Sequence, residues 1–322
     1  MSALRVGVVG VGHLGSHHAR AWARIPDAKL LGGYDPSPAV RERAARELHL
    51  PAFESLDALL DGVDLVSIAA PTSRHAEIAL LAFSRGLHVL VEKPIAAHAA
   101  EGESMLAAAR AAGRALLVGH VERFNPAVRA ARPYLKSPRF IEAHRLAPIV
   151  PRGIDVDVIL DLMIHDLDLT LLLTRCSVVH IEAVGVPVLT PRIDIANARL
   201  TLDGGCVANL TASRISREKI RKIRFFEASE YLSVDCLNRT VEAYTLLPAD
   251  PAAPGELLDR IRPLHVAIEP LDPLETELRH FLALTREPET SWEETRPALE
   301  ALRVAEEVRT QAERGLPQGV TV

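Results

Sequence analysis

Gly10, Gly12 and Gly15 follow a short β-rich run, Arg5 to Val9, and open a helical pattern. Strand, G-x-G-x-x-G and helix in that order constrain this chain more than any other feature. The first glycine permits a tight turn, the second lets backbone approach a pyrophosphate, and the third lets helix pack closely on strand. A helix N-terminus offers free N–H groups and a positive dipole end to phosphate, and His13 and Leu14 occupy its first turn. The next apolar run, "KLLGGYD", ends in Asp35, where a carboxylate accepts from a ribose 2′-hydroxyl and repels a 2′-phosphate. The sequence continues "DPSP", with no Arg or Lys immediately following, which predicts NAD rather than NADP.

The alternation continues, with strands over 64–70, 88–92 and 115–119 and helices over 75–86 and 98–112. Short links between alternating strands and helices predict a doubly wound parallel sheet. Ligands bind such sheets at the carboxyl ends of the strands. The loops to watch are therefore "PTSRH" (71–75), "EKP" (92–94) and "HVERFNP" (120–126). In the second of these, Lys93 follows a buried-looking strand and Pro94 stiffens its turn.

The length of 322 residues suggests two domains, read as 1–122 and 123–322. After residue 139 the chain reads as strands over 139–148, 179–189, 194–202, 206–215, 221–229, 231–238 and 240–247, with a helix over 155–173. The Pro-rich stretch 248–256 reads as a loop. Two amphipathic helices follow, the second opened by a capping box of Ser291 and Glu294. Within "ILDLMIHDLDLTLLL" (159–173), Asp161, His165 and Asp168 are spaced to share one helical stripe, and Asp166 points elsewhere. A histidine and carboxylates in so apolar a segment need partners or a reaction.

Aromatic residues make up 4% of the chain, so the core is aliphatic; the net charge of −5 argues against nucleic acid and offers no basic face to a membrane. No apolar run reaches the length of a membrane span. Cys176, Cys206 and Cys236 stand far apart, which predicts neither a metal site nor a disulfide framework and makes the reducing cytoplasm the default.

The pieces "GVGHLGSHHA", "PTSRHAEIAL", "VEKPIA" and "DLMIHDLDL", in this order over essentially the whole chain, resemble the Gfo/Idh/MocA oxidoreductases. The resemblance implies an N-terminal Rossmann domain and a C-terminal α+β domain with a large, open, mostly antiparallel sheet. It also implies NAD(P)-dependent oxidation of a sugar or polyol hydroxyl, and a homodimer or homotetramer formed through that sheet. Carried over by position, Lys93 matches the lysine that contacts the reacting hydroxyl, and Asp161 and His165 match the D-x-x-x-H element. Pro71 and Thr72 fall in the loop that passes the nicotinamide ribose, with His75 closing it and Glu92 beside Lys93. Where many members have two arginines, this chain has Glu122 and Arg123.

"VGHVERFNPAV" and "PRGIDVDVILDLMIHDLDL" bear a narrower resemblance to the UDP-N-acetylglucosamine 3-dehydrogenases, whose 3-keto product feeds 3-amino sugars including those of some lipid A. A nucleotide sugar needs pyrophosphate contacts, for which Arg145 and Arg152 are candidates; Glu122, Arg123 and Asn125 in the preceding loop, with Lys93, Asp161 and His165, are candidate contacts to the rest of the substrate. Oxidation requires a base: His165 oriented by Asp161, with Lys93 stabilising the alkoxide, or Lys93 itself. Another sugar or polyol dehydrogenase, or a glycosidase that uses NAD in a closed cycle, is the alternative.

Overall fold

A computed structural model describes residues 3–149, 156–249 and 256–315. In chain order the elements are β1 (Leu4–Val9), α1 (His13–Trp22), β2 (Ala28–Tyr34), α2 (Pro38–Leu48), α3 (Leu56–Leu60), β3 (Leu65–Ile68), α4 (His75–Ser84), β4 (His88–Glu92), α5 (Ala99–Ala112) and β5 (Leu116–Gly119). Then come α6 (Pro126–Ala131), β6 (Phe140–Leu146), a π-helical turn (Ile159–Met163), α7 (Ile164–Thr174), β7 (Val178–Val186), β8 (Ile195–Leu202) and β9 (Val207–Ser213). The chain continues through β10 (Ile220–Phe226), β11 (Glu230–Asp235), β12 (Thr240–Leu246), β13 (Ile261–Pro263), α8 (Pro273–Leu284) and α9 (Pro288–Arg314).

The chain divides into two compact units, one of residues 1–121 with 272–302, the other of 122–271 with 303–322. The first is a five-stranded parallel sheet in the order β2-β1-β3-β4-β5. The central strand β3 is buried along its whole length and, apart from Ser67, aliphatic, as a strand covered on both faces must be. The chain order reverses between β1 and β3, which makes the carboxyl ends of those two strands the switch point where such sheets open a crevice.

The division departs from the linear split at residue 122 in one respect: α8 and the first part of α9 belong to the first unit. The reason is packing, since Leu278, Phe281, Leu282 and Leu284 share one apolar cluster with Val6, Trp22 and Leu117. The helix also starts before the anticipated capping box, at Pro288. Ser291 is therefore inside it and buried, donating to the Pro288 carbonyl at 2.6 Å and accepting from Leu116 N–H at 3.1 Å. Glu294 pairs instead with His280 Nε2 at 2.7 Å.

The second unit is an eight-stranded sheet, β13-β12-β11-β10-β6-β9-β8-β7, antiparallel except where β6 runs parallel to β9. On one face α7 and the π-helical turn pack against β6 and β9, and alternate residues of β6, β8 and β9 are buried. The opposite face carries a row of rings, Phe140, Phe226, Tyr231 and Tyr244, with successive centroids 5.6, 5.2 and 6.2 Å apart. Among the described residues no helix is long and apolar enough to cross a membrane.

Candidate active site

The glycine turn has the geometry its sequence predicts. Gly10 sits at φ +83°, in the left-handed region that strains an L side chain, and a Cβ there would stand 2.6 Å from the Ala69 carbonyl oxygen. A Cβ on Gly15 would lie 1.7 Å from Gly10 O, so α1 approaches the turn as closely as it does only because residue 15 is glycine. Around Gly12 nothing lies within 4 Å of that position. This open space beside the first turn of α1, where His13 and Leu14 are exposed, fits the backbone approach of a pyrophosphate.

Asp35 stands just past β2 with its carboxylate held by backbone, accepting from Val11 N at 3.2 Å and Ser37 N at 3.0 Å. One arginine that the sequence reading passed over is near. Arg41, on α2, donates to the carbonyl oxygens of Asp35 and Pro36 at 2.6 and 3.3 Å. It is spent on backbone and leaves the carboxylate as the charge at this strand end.

The loops after β3 and β4 are tied together by His75. The ring is buried, with Nε2 2.8 Å from the Ala70 carbonyl oxygen and Nδ1 3.0 Å from that of Pro94. Burial holds its pKa below the ordinary histidine value against the pull of both carbonyls and Glu92. His75 thus braces the two loops against each other and exposes no ring edge of its own. Pro71 is exposed and Thr72 half-buried in the short 3₁₀ turn that begins this loop. Lys93 is half-buried and precedes a cis Pro94.

In the second unit the expected unbroken helix over 155–173 is replaced by a π-helical turn feeding α7. Asp157 caps it, its Oδ1 accepting from Ile159 N at 2.9 Å and Leu160 N at 3.0 Å. The extra residue in a π turn breaks the regular stripe, a distortion found often at functional sites. Asp161, in the π turn, and His165, in the first turn of α7, are both half-buried. Asp168 parts company with them: it is 1% exposed and takes a two-point bond from Arg123, with Nε–Oδ2 at 2.8 Å.

Glu122, Arg145 and Asp166 form a second internal network. Arg145 is 2% exposed and forks onto Asp166 at 3.0 and 2.8 Å while its Nη1 donates to Glu122 at 3.0 Å. Burial alone would lower the Arg145 pKa, but Asp166 and Glu122 raise it above the ordinary arginine value, so the guanidinium stays charged. Asn125 donates to Glu122 at 2.9 Å and caps α6 by accepting from Ala127 N at 3.1 Å. Glu122, Arg123, Asn125 and Arg145, anticipated as substrate contacts, are thus engaged inside the second unit, because carboxylates in this aliphatic core need cationic partners. Arg152, the other pyrophosphate candidate, and residues 250–255 of the Pro-rich stretch lie outside the described residues.

Residues 4–120 match the sequence model described as "Oxidoreductase family, NAD-binding Rossmann fold". UDP-N-acetylglucosamine 3-dehydrogenase of Acidithiobacillus ferrooxidans is 43% identical over 281 residues, covering 87% of this chain and 88% of that protein. The chain belongs to the Gfo/Idh/MocA oxidoreductase family. A solved structure of that same dehydrogenase superimposes with a TM-score of 0.89 at 40% identity, over 98% of this chain and 99% of the other. At greater distance, the NAD-dependent scyllo-inositol 2-dehydrogenase of Bacillus subtilis is 28% identical over 238 residues, 66% of this chain and 68% of its own. The protein is an oxidoreductase of sugar-type CH–OH groups, with a nicotinamide-dinucleotide fold in its first unit and a mostly antiparallel sheet in its second.

Proposed function

We propose that the protein oxidises the C3 hydroxyl of UDP-N-acetylglucosamine to the ketone, using NAD. The observation that carries this reading is the likeness to a UDP-N-acetylglucosamine 3-dehydrogenase through both units, 98% of the chain in the structural comparison. NAD rather than NADP is supported by the Asp35 carboxylate at the end of β2. Bound NAD would supply the hydride acceptor. The first-turn amides of α1 and the open side of Gly12 would hold its pyrophosphate, with His75 fixing the two loops around it.

In this reading His165 takes the hydroxyl proton, Asp161 sets its tautomer and steadies the imidazolium, and the Lys93 ammonium donates to the alcohol oxygen as alkoxide charge develops. The buried arginines brace the second unit and leave pyrophosphate recognition to other groups, Arg152 among the candidates. A 3-ketone is the substrate an aminotransferase needs to make a 3-amino sugar of the lipid A type.

The half-exposed aromatic row and the exposed Val184 and Val186 of β7 support self-association through the open sheet face. Three free thiols fit a reducing cytoplasm. The test is to incubate the protein with NAD and UDP-N-acetylglucosamine. Reduced nicotinamide and a sugar lighter by two hydrogens are expected. Preferential turnover of inositol would move the assignment to a polyol dehydrogenase, and free sugar with no net reduced nicotinamide would indicate a glycosidase.

A further inference from the structure

Behind the Glu92–Lys93–Pro94 turn lies a polar cluster that the reaction above does not use. His18, on α1, is 1% exposed. Its Nδ1 is 2.7 Å from Ser67 Oγ on β3, and its Nε2 is 2.8 Å from Glu92 Oε1 at the end of β4. The other Glu92 oxygen accepts from Lys93 N–H at 3.2 Å. On β5, Gly119 leaves room for this carboxylate, since a Cβ there would stand 3.2 Å from Glu92 Cδ. One helix and three adjacent strands therefore converge on a single acid that also accepts from the backbone of Lys93.

An ionised carboxylate only accepts, so Nε2 carries a proton and donates to Glu92. Nδ1 accepts from the Ser67 hydroxyl in the neutral ring and donates to Ser67 Oγ in the imidazolium. In either state ring, hydroxyl and carboxylate are all paired and the acid is charged. Such a buried set is costly unless every member is paired, and aliphatic side chains would fill the same space without that demand.

We propose that His18 is a positioning residue of the reaction: with Ser67 it holds the Glu92 carboxylate ionised and in place beside Lys93, so that the charged acid fixes the lysine for the alcohol. The proposal rests on the reading of Lys93 as the donor to the reacting hydroxyl. The groups facing Glu92 are His18 from α1, Lys93 beside it and, through its charge, His75 from α4. Burial pushes the Glu92 pKa up, but the His18 hydrogen bond and the electrostatic pull of His18 and Lys93 outweigh it and leave the acid below the ordinary carboxylate value.

The test compares the full-length wild type with His18→Leu, His18→Gln, Ser67→Ala and Glu92→Gln. Glutamine at 18 can donate to Glu92 and accept from Ser67, so it keeps both bonds without an imidazole. Carbon-13 NMR of labelled glutamate, with the Glu92 signal assigned by its loss in Glu92→Gln, reads the titration with or without turnover. Glu92 is expected to titrate below the ordinary range in wild type and His18→Gln, above it in His18→Leu, and between these in Ser67→Ala. Beside the acid limb that His165 as base gives every variant, the pH profile of kcat should gain a second one in His18→Leu that follows this titration, about tenfold per pH unit. That limb should be absent from the His18→Leu/Glu92→Gln double variant, and NAD affinity should be unchanged in His18→Leu, His18→Gln and Ser67→Ala.

A His18→Leu kcat profile scaled down equally at every pH would make the residue merely structural and overturn the proposal. Should His18→Leu not fold, an unshifted Glu92 titration in Ser67→Ala would do the same. A wild type inert toward the nucleotide sugar would sink the substrate assignment instead, and the NMR titration would still decide the role of His18.

Discussion

In the first unit, the groups assigned to the reaction sit at the carboxyl ends of strands, on loops short enough to read as words: Gly10 to Gly15, Pro71 to His75, Glu92 to Pro94. Their partners are mostly backbone atoms, as when two carbonyls hold His75 and two amides hold Asp35. In the second unit, charge is paired with charge across long stretches of chain. Arg145 reaches Asp166, 21 positions away, and Glu122, 23 positions away, while Arg123 crosses 45 positions to Asp168. The first arrangement fixes its loops on main-chain atoms. The second commits Glu122, Arg123, Arg145, Asp166 and Asp168 to the frame, while Asp161 and His165 stand half-buried.

The contrast predicts opposite phenotypes, and the largest effect belongs to the frame. Arg145→Leu leaves Glu122 and Asp166 buried without their shared cation. The expected loss is about 3–5 kcal/mol of stability, measured by urea unfolding, while the molecules that remain folded keep their affinity for NAD. Lys93→Ala should do the reverse. It should lower kcat by about 10²–10³-fold with the unfolding midpoint unmoved. A stable Arg145→Leu, or a Lys93→Ala that loses stability in place of rate, would erase the distinction between the two regions.

His88 gives a pH-dependent version of the same comparison, at the opposite end of β4 from Lys93. Its ring is buried, with Nδ1 accepting from Ala115 N–H at 3.0 Å and Arg114 against Nε2. Burial first, and the Arg114 charge second, push its pKa down from 6.5 to about 4. The unfolded chain therefore binds a proton below pH about 6.5 that the folded chain refuses until pH about 4. Stability is undiminished above that window and falls as pH drops through it, by on the order of 2–3 kcal/mol. His88→Asn, whose amide oxygen can still accept from Ala115, should flatten the melting-temperature profile between pH 4 and 6.5. An identical slope in the variant would show that other groups carry the acid sensitivity.

The same contrast explains what was legible in the sequence. The glycine turn, the strand-helix alternation and the run of seven strands from β6 to β12 follow from local periodicity and turn chemistry, and they form as read. Asp161 and His165 were singled out by their spacing, and they stand half-buried in the distorted first turns of that helical segment. Their neighbours Asp166 and Asp168 have the same side chain in the same apolar run, yet both are buried on arginines from distant segments. No local pattern separates these pairs, because the partner decides the fate of a carboxylate and the partner is set by tertiary contact. Ser291 failed for a related reason, since a capping box is a local signal and Leu116, 175 positions away, claimed its hydroxyl.

Asp35 sharpens the comparison with the smallest expected effect. Unlike Glu122, Asp166 and Asp168 of the second unit, it is held by the amides of Val11 and Ser37 and by no arginine among the described residues, so its charge remains for a ligand to meet. Arg41 is already nearby and bonded to the Asp35 carbonyl, a ready cation should the carboxylate be removed. Asp35→Ser should therefore cost about tenfold in NAD affinity, the worth of one good hydrogen-bonding interaction of roughly 1–2 kcal/mol, and raise affinity for NADP. Titration calorimetry with both cofactors reads the two changes separately. If NAD weakens and NADP does not improve, the Asp35 charge was not what excluded the 2′-phosphate, and Arg41 is held too firmly by backbone to serve in its place.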